Sequence, residues 1–281
     1  MQKFSVLMSL YYKEKAQYLD QALDSVFKNT VEPDQVVMVL DGPIGDELKV
    51  VVDKYKNDYP SFDVYPQDVN RGLSAALNIG LEKCRNELVF RMDTDDICYP
   101  YRFEKMLKFY EENPRLDMAG SFDTIIDENG NIVNPILEEP TTYEEIKRLI
   151  WTCPFSHPTM SFKKSSILRV GSYNPNSGPR QDDYELWFRC IAGGLYALNY
   201  PEPLNYYRFF SDSLQKNSIK VGWWRMKVGL KGCWMCKCSP LAYLGVCFPF
   251  IRSLMPMKIR GWLYNITDKY SPRSTSDRKS K

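Results

Sequence analysis

Phe4–Leu10 is apolar at nearly every position, which predicts a strand buried on both faces rather than an amphipathic element. The spacing then changes. Leu19, Ala22, Leu23, Val26 and Phe27 recur at helical intervals, so a helix is expected next. The alternation continues with a strand over Gln35–Leu40, a helix over 46–57 and a strand over 62–65. A helix with Leu73, Ala76, Leu77, Gly80 and Leu81 on one face follows, then a strand over 88–92. Strands alternating with helices of this length predict right-handed crossovers and an α/β fold, its mainly parallel sheet covered by helices on both faces.

The pattern becomes irregular after residue 118. A strand over 118–121 leads into a hairpin over 122–133 around Asn129-Gly130. Thr142 and Glu145 have the spacing of a capping box, which predicts a helix from there to about Trp151. Strands are expected over 159–162, 195–198 and 204–209, with a helix over 183–192 between them. This half reads as mixed α/β.

In an open parallel sheet a ligand sits beyond the carboxyl ends of the strands. Four polar clusters follow the first four predicted strands: Ser9 with Tyr11, Asp41, Asn70-Arg71-Gly72, and Asp93-Thr94-Asp95-Asp96. The first three also have plain structural readings, as a surface aromatic, a turn and a helix start. The fourth does not. Three carboxylates at the end of a buried strand repel one another unless positive charge sits among them. Asp93 and Asp95 share one face of extended backbone, so they can address one hard divalent cation, Mg²⁺ or Mn²⁺. A solvated acidic turn is the alternative. Arg71 on the same edge suits phosphate, and metal with arginine suggests a diphosphate.

Taken together these residues resemble family 2 glycosyltransferases of the GT-A fold. The nearest branch is the one that builds bacterial exopolysaccharide, capsule and O-antigen, including amylovoran-type enzymes. The resemblance covers roughly residues 4–210. It runs through Phe4-Ser5-Val6-Leu7-Met8-Ser9, Asn70-Arg71-Gly72-Leu73 with Ala76-Leu77-Asn78, and Arg91-Met92-Asp93-Thr94-Asp95-Asp96. It continues through His157-Pro158-Thr159, Gly171-Ser172-Tyr173 and Asp182-Asp183-Tyr184-Glu185-Leu186-Trp187.

The resemblance implies that Ser9 and Tyr11 line a nucleoside pocket and that Asp41 accepts a hydrogen bond from the base. It implies Asn70 and Arg71 beside the nucleotide, Asp93 near the ribose, and Asp95 holding the metal. The family's acid-Asp pair falls on Asp182 and Asp183, with Asp183 as catalytic base and an inverting transfer from a nucleoside diphosphate sugar, UDP by resemblance. Asp182 stands where Glu is commoner, so the base assignment could slip by one residue. The same pair also reads as a helix N-terminus with Asp182 as cap. His157, the single histidine, falls on the acceptor side. Many relatives place a metal-approaching His where this chain has Phe210.

Composition adds a second layer. Residues 220–281 carry 13 Lys and Arg against Asp268 and Asp277, leaving 24 basic and 33 acidic side chains in residues 1–219. An acidic body of net −9 disfavours nucleic acid, while a tail of about +11 suits an anionic membrane surface. Residues 220–238 mix Trp223, Trp224 and Trp234 with lysines, and 240–251 are apolar but too short to span a bilayer. The expected organisation is a catalytic domain over 1–219, with a nucleotide-binding half at 1–117 and an acceptor half at 118–219. Membrane-associated amphipathic helices over 220–270 and a disordered end over 271–281 complete it. A helical lid packed on the core or on a second subunit is the alternative for the tail.

Residues 1–10 read as a core strand without an export signal, so the chain is expected in the cytoplasm at the inner face of the membrane, its eight cysteines reduced. Cys233, Cys236 and Cys238 lack a nearby fourth ligand for zinc. A saccharide acceptor linked to polyprenyl diphosphate is implied by the relatives. The rivals are a nucleotidyltransferase, which would want a Gly-rich loop after the first strand, and a non-catalytic sugar-nucleotide-binding membrane protein.

Overall fold

The computed structural model describes residues 2–210 and 218–255; the expected amphipathic stretch beyond residue 255 and the polar end at 271–281 lie outside the described residues. Strand β1 (Phe4–Leu10) lies between β2 (Gln35–Leu40) and β4 (Leu88–Arg91), parallel to both, and β3 (Phe62–Pro66) extends the parallel block beyond β2. Helices α1 (Ala16–Phe27), α2 (Asp46–Asp58) and α3 (Leu73–Lys83) make the crossovers, as the alternating pattern predicts.

Two hydrophobic clusters show why β1 and β2 are mostly apolar on both faces. Val6, Met8, Val36 and Met38 pack with Leu19 of α1, Leu48 of α2 and Phe103. Leu7 and Val37, one residue out of phase, pack on the opposite face with Leu77 and Leu81 of α3. Alternate side chains thus serve different layers, and neither face can be polar.

Beyond β4 the sheet is mixed. Its order is β3-β2-β1-β4-β8-β6-β9-β5, with β7 paired to β6. Here β5 is Ile97–Cys98, β6 Met118–Ile126, β7 Ile132–Leu137, β8 Ser161–Lys163 and β9 Ala197–Arg208. The hairpin expected over 122–133 is longer than its pattern suggests, because β6 runs unbroken to Ile126 and β7 begins at Ile132. The strands expected over 195–198 and 204–209 are one strand, β9, carried past Pro201 and Pro203 by irregular pairing with β6. Helix α4 (Arg102–Glu112), which buries Phe103, Met106, Leu107 and Tyr110, has no counterpart among the expected elements.

The Thr142–Glu145 capping box is present and starts α5 (Tyr143–Leu149), which tightens into a 3-10 turn at Ile150–Thr152. After the short α6 (Lys164–Arg169) comes α7 (Asp182–Ala192), whose Tyr184, Leu186, Trp187 and Phe188 are buried. Helices α8 (Ile219–Met235) and α9 (Pro240–Ser253) pack against each other, and Val228, Cys233, Ala242 and Val246 join the cluster built around α7. The same hairpin leaves Trp234 at 76% exposure and Leu244 at 71%. Among the described residues no helix is long and apolar enough to cross a membrane.

Candidate active site

A cleft of about 770 Å³ opens beyond the carboxyl ends of β1, β2 and β4. Ser9, Tyr11, Asp41, Asn70, Asp93 and Asp95 all line it, as does Phe210. Arg71, His157, Asp182 and Asp183 are not in its walls.

Asp41 directly follows β2 and is 4% exposed. Its Oδ1 accepts the Arg71 N–H at 2.7 Å and its Oδ2 the Gly72 N–H at 3.0 Å. Gly72 adopts a φ of +89°, a conformation that swings its N–H toward the carboxylate just before α3 begins. Asp41 therefore ties the end of β2 to the start of α3 while each oxygen keeps a lone pair for another donor. Arg71 contributes backbone to this tie, and its side chain is exposed.

Arg91 is 1% exposed and donates through Nη2 to Asp93 Oδ1. The expectation of three carboxylates in one pocket is corrected by Asp96. It turns inward at 1% exposure, accepting from Asn205 Nδ2 at 3.2 Å and from the Arg208 N–H at 2.8 Å. Asp93, Thr94 and Asp95 line the cleft, and the contacts with Asn205 and Arg208 hold Asp96 to the interior. Burial, with the charges of Asp95 and Asp93 behind it, pushes the Asp96 carboxyl well above its ordinary range.

Sequence reading alone does not single out Glu14, whose sole signal is its position in the loop after β1. It lines the cleft, accepts from Thr94 Oγ1 at 2.9 Å, and is pushed up by burial. Glu14 and Asp93 matter most through Asp95. Burial first, then the negative charges of Asp93 and Glu14, push the Asp95 carboxyl up to about 7. Charge crowded this way fits a cation at Asp95. Yet among the described residues no three His, Cys, Asp or Glu side chains converge as a metal-binding group. A metal at Asp95 would need oxygen ligands from a bound molecule.

Arg208 braces this wall from β9. Its Nε donates to the Asp95 carbonyl at 2.8 Å and its Nη2 to Gln21 Oε1 at 2.8 Å, with the guanidinium 4.2 Å from the Tyr18 ring. Phe210 lies 5.9 Å from the same ring, and its phenyl group offers no metal ligand.

Asp182 and Asp183 are the first two residues of α7, capped by the Gln181 backbone and not by Asp182. Ser74 Oγ, at the start of α3, donates to Asp182 Oδ1, which fixes this carboxylate beside the strand-end cluster. Asp183 Oδ1 accepts the Tyr184 N–H at 2.7 Å, while its Oδ2 meets only the weak Cys153 Sγ donor at 3.8 Å. Burial pushes the Asp183 carboxyl upward. His157 starts a 3-10 turn with Nε2 2.9 Å from the Tyr173 hydroxyl, and burial plus nearby Arg91 hold it neutral.

Residues 5–171 match the family described as Glycosyl transferase family 2. The chain is 36% identical over 271 residues to the amylovoran biosynthesis glycosyltransferase AmsE of Erwinia amylovora, covering 93% of this chain and 97% of that protein. It is 36% identical over 214 residues to an Escherichia coli UDP-Gal:alpha-D-GlcNAc-diphosphoundecaprenol beta-1,3-galactosyltransferase, covering 76% and 77%. The fold is similar to that of S. aureus TarS 1-349 in complex with UDP-GlcNAc, with a TM-score of 0.66, 18% identity and coverage of 89% and 72%. The mixed sheet with flanking helices is thus GT-A-like. The chain is a glycosyltransferase and belongs to glycosyl transferase family 2.

Proposed function

We propose that the chain transfers a sugar, with inversion, from a nucleoside diphosphate sugar to a hydroxyl of a lipid-linked saccharide during synthesis of a bacterial surface polysaccharide. The observation that carries this reading is the acidic cluster of Asp93, Asp95 and Glu14 in a cleft at the strand ends of a family 2 chain. A UDP-sugar is the favoured donor, since one relative is a UDP-Gal transferase and one fold neighbour holds UDP-GlcNAc. The diphosphoundecaprenol acceptor of that relative supports the lipid link, and the AmsE relative supports the polysaccharide pathway.

Ser9, Tyr11, Asp41 and Asn70 hold the nucleoside, with Arg71 beside it at the rim, and Asp93 sits near the ribose. Asp95 would hold Mn²⁺ or Mg²⁺, which would supply charge stabilisation for the departing diphosphate. Asp183 accepts the proton of the acceptor hydroxyl. The freed oxygen attacks the anomeric carbon from the face opposite the diphosphate, and the electron pair of the breaking C–O bond leaves with the nucleoside diphosphate. A carboxylate raised by burial, with one oxygen nearly free, suits this base role. Asp182, engaged by Ser74, positions the pair, and His157 lies on the acceptor side.

The α8–α9 hairpin holds the enzyme at the inner face of the membrane. Trp223, Trp234, Leu241 and Leu244 are exposed there, interleaved with Lys227, Lys231 and Lys237. The test is release of UDP from UDP-sugars by the purified chain, with and without a synthetic sugar-diphosphate lipid. Acceptor-dependent release supports the reading, and no release from any nucleoside diphosphate sugar contradicts it.

A further inference from the structure

Gly178, Pro179, Arg180 and Gln181 form a tight turn immediately before α7. The Gln181 N–H donates to the Gly178 carbonyl at 3.3 Å, and Arg180 in the third position has a φ of +61°. Proline second and positive φ third is the type II pattern, in which the third position favours glycine. Here it is a long, charged side chain instead. A residue kept in a disfavoured conformation needs a reason outside the turn itself.

Packing keeps the turn in place. Gln181 is 1% exposed, and a Cβ on Gly178 would run into the ring of Trp224 in α8, so helix and turn meet without space between them. Arg180 is thereby held against the cleft that contains Asp93, Asp95 and Glu14. The other cations there are engaged. Lys15 donates to the Tyr18 hydroxyl at 3.2 Å, Lys13 lies 5.5 Å from the Tyr12 ring, and Arg208 is spent on carbonyls and Gln21. Among the described residues no hydrogen bond or ion pair engages the Arg180 guanidinium.

We propose that Arg180 is a diphosphate-binding residue, gripping the anion that the acidic wall of the cleft cannot hold by itself. The inference rests on the glycosyltransferase reading above. A planar guanidinium matches paired phosphate oxygens, and the turn before α7 places it in the same cleft as Asp93, Asp95 and Glu14. The diphosphate belongs either to the donor nucleotide or to the lipid-linked acceptor.

The experiment measures UDP and uridine binding calorimetrically in excess Mn²⁺ for the full chain and for Arg180→Ala, Arg180→Lys and Arg180→Gly. Weakening of UDP by about tenfold or more in the Ala and Gly variants, with uridine unchanged and partial rescue by Lys, assigns the donor diphosphate to Arg180. The Gly variant should melt at or above wild type, since glycine relaxes the turn, so its loss of binding cannot be ascribed to misfolding. Unchanged UDP binding with a similar rise in KM for a synthetic sugar-diphosphate lipid assigns the acceptor diphosphate. Wild-type values for both in all three variants overturn the proposal. A wild-type chain that binds no nucleoside diphosphate overturns the parent reading and this inference with it.

Discussion

The guanidinium of Arg91, 1% exposed in the centre of the sheet, reaches two residues along its own chain to hold the carboxylate of Asp93 at the cleft wall. Its Nε and Nη1 have no hydrogen-bond partner, so Asp93 is its main compensation. A buried ion pair of this kind is costly to break on one side. Arg91→Met should therefore destabilise the protein by about 2–3 kcal/mol in urea titration, and should weaken nucleotide binding by releasing Asp93.

Asp95 links cation binding to pH. With its carboxyl pushed up to about 7, metal and proton compete for it near neutrality. Mn²⁺-dependent nucleotide affinity should fall as pH drops from 8 to 6, and Asp95→Asn should abolish both that affinity and its pH dependence. The stability sign is the reverse. In the metal-free fold, Asp95 at about 7 and Asp123 at about 6 bind protons more tightly than in the unfolded chain. Their contribution is present below the ordinary carboxylate range and is lost as pH rises through 6 to 7. Metal-free Tm should decline from pH 5.5 to 8, and Asp95→Asn should flatten the decline and gain on the order of 1 kcal/mol at pH 8.

Asp183 and Asp182 should separate kinetically. Asp183→Asn should keep nucleotide affinity and lose ~10² to 10⁴ in kcat, the worth of a positioned base. Asp182→Asn, which disturbs only the Ser74 contact, should lose less. Steady-state release of nucleoside diphosphate gives both values, and wild-type kcat in the Asp183 variant rejects its role.

The α8–α9 face predicts membrane behaviour independent of catalysis. Trp234→Ser with Leu244→Ser should leave the unfolding free energy within about 0.5 kcal/mol of wild type, because both side chains are largely exposed. Sedimentation with vesicles containing anionic lipid should drop several-fold. Unchanged sedimentation returns the hairpin to a packing role.

The parallel half of the fold was legible because each strand is apolar on both faces and each helix has one stripe; Val6 and Leu7 serve opposite layers and so both had to be hydrophobic. The second half was less so. Pairing between β6 and β9 shifts register around Pro203, which splits one strand into two by pattern. The site divided similarly. Asp41 and Asp95 follow strands and were findable from that alone, whereas Glu14 and Arg180 sit in loops whose path depends on tertiary contacts with Thr94 and Trp224. The inward turn of Asp96 depends on Asn205 and Arg208, more than a hundred residues away in sequence, so no local pattern could separate it from Asp95.

The central claim, a nucleoside diphosphate held on Asp95 through a divalent cation, is tested most directly by thermal unfolding of the full chain with UDP, Mn²⁺, or both. Ligand at about a hundred times its Kd adds about 2.7 kcal/mol, so UDP with Mn²⁺ should raise Tm by roughly 5 °C. Either alone should do much less, and Asp95→Ala should erase the joint effect. Equal stabilisation by UDP with and without Mn²⁺, or a joint effect that survives in Asp95→Ala, would contradict the account.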